Sequence, residues 1–411
     1  MNKNLFAAGL YSISNSLTPL AAFIILPVLT RHMASEEIGM IFIFQSLVLI
    51  TVNIVAVGSM SVMQPIYFRA PEQLSNYLAS SMANSMTIWV GLCVFIYFLG
   101  GYFSSLLGIP FVAVVLAVLV SFAAALQGLY QSLLHIMGQP ASYFRLLFIV
   151  NIVGLATSLI LIVWVAPNSY SRIAGLSIAI LVGSLIACRY FRQVVKNSPN
   201  ISRMKELIGL GAPVIIHSSA MLMIAQTDKL LIANLLSLTL VGEYGVASQF
   251  ASVMSILAGG LSMAYLPVLY KRLAMPKRND AGLAKSLFMK CIFVLGLVLT
   301  LYIPIAHYFV PLILGPLFFF QWTSFVILSA AGTVFGVYHF FSGYFYYYKH
   351  TKVLASLTLG VAATNFVLSY YFIPIYGING AAVGTLISYA VALLFAAVFS
   401  YRYRSLTGEP S

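Results

Sequence analysis

The sequence predicts an all-α polytopic membrane protein, with about 12 transmembrane helices in two parallel six-helix lobes and both termini cytoplasmic. Three observations carry this expectation. The 411 residues are 61% hydrophobic and only 7% charged, whereas soluble domains are about 25% charged. The formal net charge of +13 is scattered over short loops rather than gathered in one basic domain, which argues for membrane topology and against nucleic acid. The two halves also repeat weakly. At a constant offset Gly9 pairs with Gly211, Asn15 with His217, Gly58 with Gly260, Pro65 with Pro267 and Arg69 with Lys271.

The first apolar run follows Lys3 and continues through Ser12, Asn15, Thr18 and Pro19 to Leu29. It has no small-residue cleavage site where a signal peptide would need one, so it is expected to be the first membrane helix, at 5–30. Further spans are expected at 39–63, 78–100, 109–131, 145–166 and 172–190. The second half supplies 207–234, 242–267, 288–310, 317–340, 352–373 and 379–400. This organises the chain into an N-terminal lobe (1–190), a basic cytoplasmic linker (191–206), a C-terminal lobe (207–401) and a cytoplasmic tail (402–411).

With loops assigned alternately to the two sides, the 21 lysines and arginines divide very unevenly. Only Arg31 and Arg172 fall on one side, Lys229 lies within a span, and all the others fall on the side of the termini. The positive-inside rule makes that side cytoplasmic. An even number of spans per half makes the repeats parallel, an arrangement in which the substrate path lies between the halves.

Small residues at helix-packing spacing mark matching places: Gly175, Ala179 and Gly183 in the sixth span, and Gly380, Gly384 and Ser388 in the twelfth. Cys93, Cys188 and Cys291 sit in apolar runs without paired spacing and are expected to be buried thiols. The aromatic run Phe340–Tyr348 is expected to form an interfacial belt, with a sugar-stacking platform as the sharper alternative.

The stretch Leu207–Leu236 carries the chemistry. It is long and apolar enough to span, yet it holds His217, Asp228 and Lys229. A charge at membrane depth costs about 2.5–3.5 kcal/mol even on the milder scales, so such groups are candidates for the substrate path or for ion coupling. His217 and Asp228 are spaced to share one helix face about 16 Å apart, and Asn15 is the repeat partner of His217. Snorkelling of Lys229 and a structural role for Asp228 are the plainer alternatives. Arg31 is a candidate on the periplasmic side, as headgroup guide or helix anchor. Arg69 and Lys271, at equivalent cytoplasmic helix ends, are candidates for an entrance that collects an anionic headgroup.

No P-loop, metal-ligand spacing or nucleophile–base grouping is present, so no catalytic residue, metal or cofactor is expected. A coupling ion, proton or sodium, stays open. The first half has no Asp or Glu inside a span, since Glu36, Glu37 and Glu72 fall in loops.

Three stretches resemble the polysaccharide transporter family, the Wzx-type O-antigen flippases of the superfamily that also holds MATE exporters and the lipid II flippase. They are Pro27-Val-Leu-Thr-Arg31 with Glu36-Glu37-Ile-Gly39, then Thr227-Asp228-Lys229 with Val241-Gly242-Glu243-Tyr244-Gly245, and Tyr376-Gly377-Ile-Asn379-Gly380 with Gly384. The resemblance implies two lobes forming a V in the bacterial inner membrane. It also implies movement of an undecaprenyl-diphosphate-linked oligosaccharide from the cytoplasmic to the periplasmic leaflet. Arg31 and Lys229 are then the candidates by position for holding the pyrophosphate, and other polysaccharide-assembly membrane proteins are the implied partners. A MATE-type multidrug exporter is the main rival, though it would want an acidic residue in the first lobe. An O-antigen polymerase would want a large periplasmic loop, and no such loop is expected here.

Overall fold

The computed structural model describes residues 3–57, 59–274, 280–348 and 350–406, and among them every regular element is helical. The first half contributes α1 (Lys3–His32), α2 (Ser35–Ala56), α3 (Ser59–Arg69), α4 (Leu74–Leu107), α5 (Phe111–Ile136), α6 (Pro140–Trp164) and α7 (Ser169–Val194). The second half contributes α8 (Ile201–Leu235), α9 (Leu238–Ala274), α10 (Asp280–Ile313), α11 (Trp322–Tyr347), α12 (Thr351–Tyr376) and α13 (Ile378–Leu406). Among the described residues, 11 helices are long and apolar enough to cross a membrane. The expected seventh span lies within α8, a single helix of 35 residues.

Local chemistry sets several helix ends. Pro140 opens α6, where its missing N–H would have had no intrahelical partner. The Asn168 side chain caps α7 by accepting from the Ser171 N–H at 3.1 Å. The expected span at 39–63 is two helices instead of one. α2 stops because Val57 adopts the left-handed region at φ 50°, ψ 37°, a conformation that disfavours a β-branched residue. The chain restarts at Ser59, whose hydroxyl donates back to the Ala56 carbonyl. The corresponding element of the second half, α9, runs unbroken through 37 residues.

The chain folds as two compact units, Met1–Leu222 with Leu314–Phe318, and Met223–Ile313 with Phe319–Ser411. The division falls inside α8 rather than in the basic segment 191–206, for a visible reason. Asn53 on α2 donates to Ser219 Oγ at 2.7 Å and accepts from Ser218 Oγ at 3.0 Å. Asn84 on α4 donates to the Met204 carbonyl at 2.9 Å. These bonds tie the first half of α8 into the first unit.

Within each unit the same packing recurs. In the first, α2 and α4 pack on α5, and α5 and α6 pack on α7. In the second, α9 and α10 pack on α11, and α11 and α12 pack on α13. Counting α2 and α3 as one span, these are the same positions of each six-span half. The first unit has an apolar core that includes Met63, Leu78, Leu133, Ala187 and Phe191. A core of the second includes Met254, Leu269, Leu295, Phe340 and Tyr344. Large rings such as Tyr97, Phe98 and Trp164 face outward, 78%, 75% and 83% exposed. Such a surface suits hydrocarbon rather than water.

The expected small-residue contacts are real. A Cβ on Gly175 would lie 2.9 Å from the Ser158 Cα, and one on Gly384 would lie 2.9 Å from Ser369 Oγ. Gly175→Val is therefore expected to lower stability by about 1–3 kcal/mol through overpacking. Gly209→Ala, in open space, should leave stability unchanged or slightly raised. Thermal unfolding of both variants in the same detergent checks this.

Candidate functional site

The second unit holds a polar centre built on Asp228, with donors from α9, α12 and α13. Asp228 is only 5% exposed. Its Oδ2 accepts from the Tyr244 hydroxyl at 2.7 Å and the Thr385 hydroxyl at 2.6 Å, and its Oδ1 accepts from Ser369 Oγ at 3.0 Å. Behind Thr385, Asn365 donates its amide N–H to the Thr385 hydroxyl at 3.0 Å. The Asn365 Oδ1 is buried and has no hydrogen-bond partner.

Apolar surroundings make an unpaired carboxylate very costly, and three hydroxyl donors offset part of that cost. The centre gathers carboxylate, hydroxyl and amide oxygens, the donor set that suits a proton or a hard cation. Among the described residues no group of three or more His, Cys, Asp or Glu side chains is placed to hold a metal.

The neighbouring candidates sit differently. Lys229 is half-buried and donates to Gln226 Oε1 at 3.2 Å, one turn back on α8. His217 lies on the α8 backbone, but its side chain is outside the described residues, so the expected common face with Asp228 is not visible. Arg31 is exposed in the last turn of α1. Its neighbour Thr30 accepts from the Gly315 N–H at 3.0 Å, within the first unit. Arg69 ends α3 and Lys271 lies near the end of α9; both are exposed. Arg172 is buried, donating to Ser158 Oγ at 2.8 Å between α6 and α7.

Asn15, exposed on α1, accepts from the Tyr143 hydroxyl at 2.8 Å. Three residues on, Thr18 accepts from Asn151 at 3.2 Å, so α1 and α6 share a polar seam. The aromatic run at the end of α11 is mostly packed: Phe340, Tyr344 and Phe345 are each 1% exposed.

Sequence reasoning missed Tyr244, Asn365, Ser369 and Thr385 as partners of Asp228. The available signal was spacing. Asn365 and Ser369 are one turn apart on α12, and Thr385 and Tyr389 are one turn apart on α13, so each pair shares a helix face inside an apolar span.

Comparison with known proteins places this geometry in context. A family model described as polysaccharide biosynthesis protein matches residues 7–273. A Haemophilus influenzae protein of the Lsg locus is 23% identical over 287 residues, 65% of this chain and 66% of that one, just under two thirds of its length. The lipid II flippase MurJ in an inward closed conformation superposes with a TM-score of 0.73 at 16% identity, covering 96% of this chain and 87% of that one. An inward-facing MATE family multidrug resistance transporter of the MOP superfamily gives 0.66 at 15% identity, covering 100% and 95%. At such identities the two structural likenesses establish a shared fold.

Removing one donor from a buried carboxylate leaves it under-satisfied. Ser369→Ala is expected to cost about 1–3 kcal/mol, read as a lowered thermal midpoint. Ser369→Thr, which keeps the hydroxyl, should lose less.

Proposed function

This chain belongs to the polysaccharide biosynthesis protein family, and from that premise we propose that it is a flippase rather than an enzyme. Its substrate is an undecaprenyl-diphosphate-linked oligosaccharide, an O-antigen repeat unit or similar. It carries the sugar headgroup from the cytoplasmic to the periplasmic leaflet of the bacterial inner membrane by alternating access. The supporting observation is the doubled packing: two six-span sets whose second to sixth members pair in the same way. Parallel repeats of that kind suit rocking of one body against the other.

A polar headgroup cannot cross about 30 Å of hydrocarbon unaided, whereas a prenyl tail is at home there. A route for the headgroup alone is enough. The moving bodies are the two compact units, which divide inside α8, with the basic segment 191–206, the tail 402–411 and both termini on the cytoplasmic side. Arg31 and Lys229 are the cations for the pyrophosphate, and Arg69 and Lys271 collect the anionic headgroup at the entrance. Asp228 is the coupling group. Its hydroxyl-lined burial supports uptake and release of a proton or sodium ion better than direct contact with a bulky sugar. His217 is the second titratable group on the same helix.

Deleting the gene should cause complete undecaprenyl-linked units to accumulate on the cytoplasmic face, with loss of surface polysaccharide. Unchanged lipid-linked pools and surface polymer would refute the proposal. In proteoliposomes, Asp228→Asn should lower gradient-driven flipping by at least tenfold while leaving the protein folded. Equal rates with and without imposed proton or sodium gradients in the unsubstituted protein would remove the coupling role.

A further inference from the structure

We infer that Tyr11, Asn15, His135 and Tyr143 form a sugar-recognition subsite in the first unit, taking a neutral pyranose ring of the lipid-linked oligosaccharide. The inference rests on the flippase reading and gives the sugar a place within it.

The four residues come together where the end of α5 and the start of α6 meet the body of α1. Tyr11 and Asn15 lie one turn apart inside α1, His135 is in the last turn of α5, and Tyr143 is in the first turn of α6. The Tyr11 ring lies 4.7 Å from His135 at 55° and 5.3 Å from Tyr143 at 71°. His135 and Tyr143 are 6.4 Å apart at 65°. None of the three pairs is stacked, so the rings frame a corner instead of closing into a parallel sandwich.

The hydroxyls act as anchors. Tyr11 donates to the Leu134 carbonyl at 3.3 Å, and Tyr143 donates to Asn15 Oδ1 at 2.8 Å. With its oxygen so engaged, Asn15 keeps its NH2 group as a donor. Asn15 and His135 are both exposed, and the two tyrosines are half-buried.

Exposure decides between packing and recognition. His135 reaches water because it lies in the last turn of α5, and an Asn15 amide open to hydrocarbon would be costly, which favours water on its exposed side as well. The polar seam continues along α1 and α6 at Thr18 and Asn151. Interhelical packing accounts for the buried parts of Tyr11 and Tyr143. It gives no reason for the exposed sides of Asn15 and His135 to be polar.

The chemistry of the corner selects the ligand class. A pyranose offers a patch of C–H groups, which an aromatic face accepts, and hydroxyls that both donate and accept. Tyrosine rings provide the first complement; the amide and imidazole provide the second. No carboxylate is among the four, as an organic cation would want, and no guanidinium or ammonium, as a pyrophosphate would want. The aromatic run ending α11 does not compete for this role, because Phe345 is stacked on Phe399 at 4.2 Å and Phe340 and Tyr344 are core residues.

The test uses the full chain in nanodiscs with two probes: the undecaprenyl-diphosphate-linked oligosaccharide extracted from the producing strain, and undecaprenyl diphosphate without sugar. Binding is read by native mass spectrometry. The unsubstituted protein should prefer the sugar-bearing lipid. Asn15→Ala and His135→Ala should each weaken that lipid by roughly fivefold to tenfold, the worth of one lost hydrogen bond or ring contact. Their affinity for the bare lipid should stay unchanged, and His135→Ala, which removes no hydrogen-bond anchor, should keep its thermal midpoint. If the protein prefers the sugar-bearing lipid and the variants keep that preference, or weaken both lipids equally, the subsite is overturned and the flippase reading stands. If the unsubstituted protein binds neither lipid, both fall.

Discussion

A carboxylate removed from water inside a helical unit dictates what must surround it. Asp228 draws a hydroxyl from each of three other helices, Tyr244 on α9, Ser369 on α12 and Thr385 on α13. Through those bonds it fixes the rotation of each helix about its own axis. Hydrocarbon-facing side chains give little orientational preference, since one apolar contact is much like another. Directional bonds to a single anion supply what apolar packing lacks. The close approach of α13 to α12 at Gly384, beside Ser369, belongs to the same arrangement.

The first unit solves its orientation problem differently. Its buried cation, Arg172, bonds Ser158 between α6 and α7, and paired amides make the other links. Asn53 bonds two serines of α8, and Asn84 bonds the α8 backbone. One unit is thus centred on an anion and the other is laced by neutral amides. That asymmetry is chemical rather than architectural, because the second to sixth spans of the two halves pair alike. The proposed ion coupling accordingly draws on the second unit, and the proposed sugar subsite on the polar seam of α1 and α6 in the first.

Much of the architecture was legible because hydrophobic length and basic loops are one-dimensional signals. The spans, the repeat and the close contacts at Gly175 and Gly384 all follow from such patterns. The break at Val57 was not legible, since a valine in an apolar run ordinarily continues a helix. For the site, Asp228 announced itself as a charge where charge is costly. Its partners did not. A hydroxyl inside a membrane helix ordinarily bonds its own carbonyl one turn back, as Ser388 does to Gly384 and Thr364 does to Gly360. The hydroxyl alone does not tell such a residue from Ser369 or Thr385, whose bonds exist only after distant helices meet; only a polar neighbour one turn away sets them apart. The boundary between units was hidden for a related reason. It depends on which amides reach α8, and the basic segment at 191–206, which spans the end of α7 and the start of α8, does not mark where one body ends.

The short segment Leu314–Phe318 belongs to the first unit although it lies far along the second half of the chain. Its Gly315 N–H bonds Thr30, 285 residues earlier, and packs so closely on the α1 backbone that a Cβ would lie 2.9 Å from the Arg31 Cα. During synthesis the ribosome delivers α1 first and this partner only after α10 has been made. The first unit therefore leaves the translocon unfinished, with the end of α1 waiting while nine further helices insert. Biogenesis of the two halves is interleaved, and a truncated product ending before residue 314 would lack a piece of the unit it otherwise encodes in full.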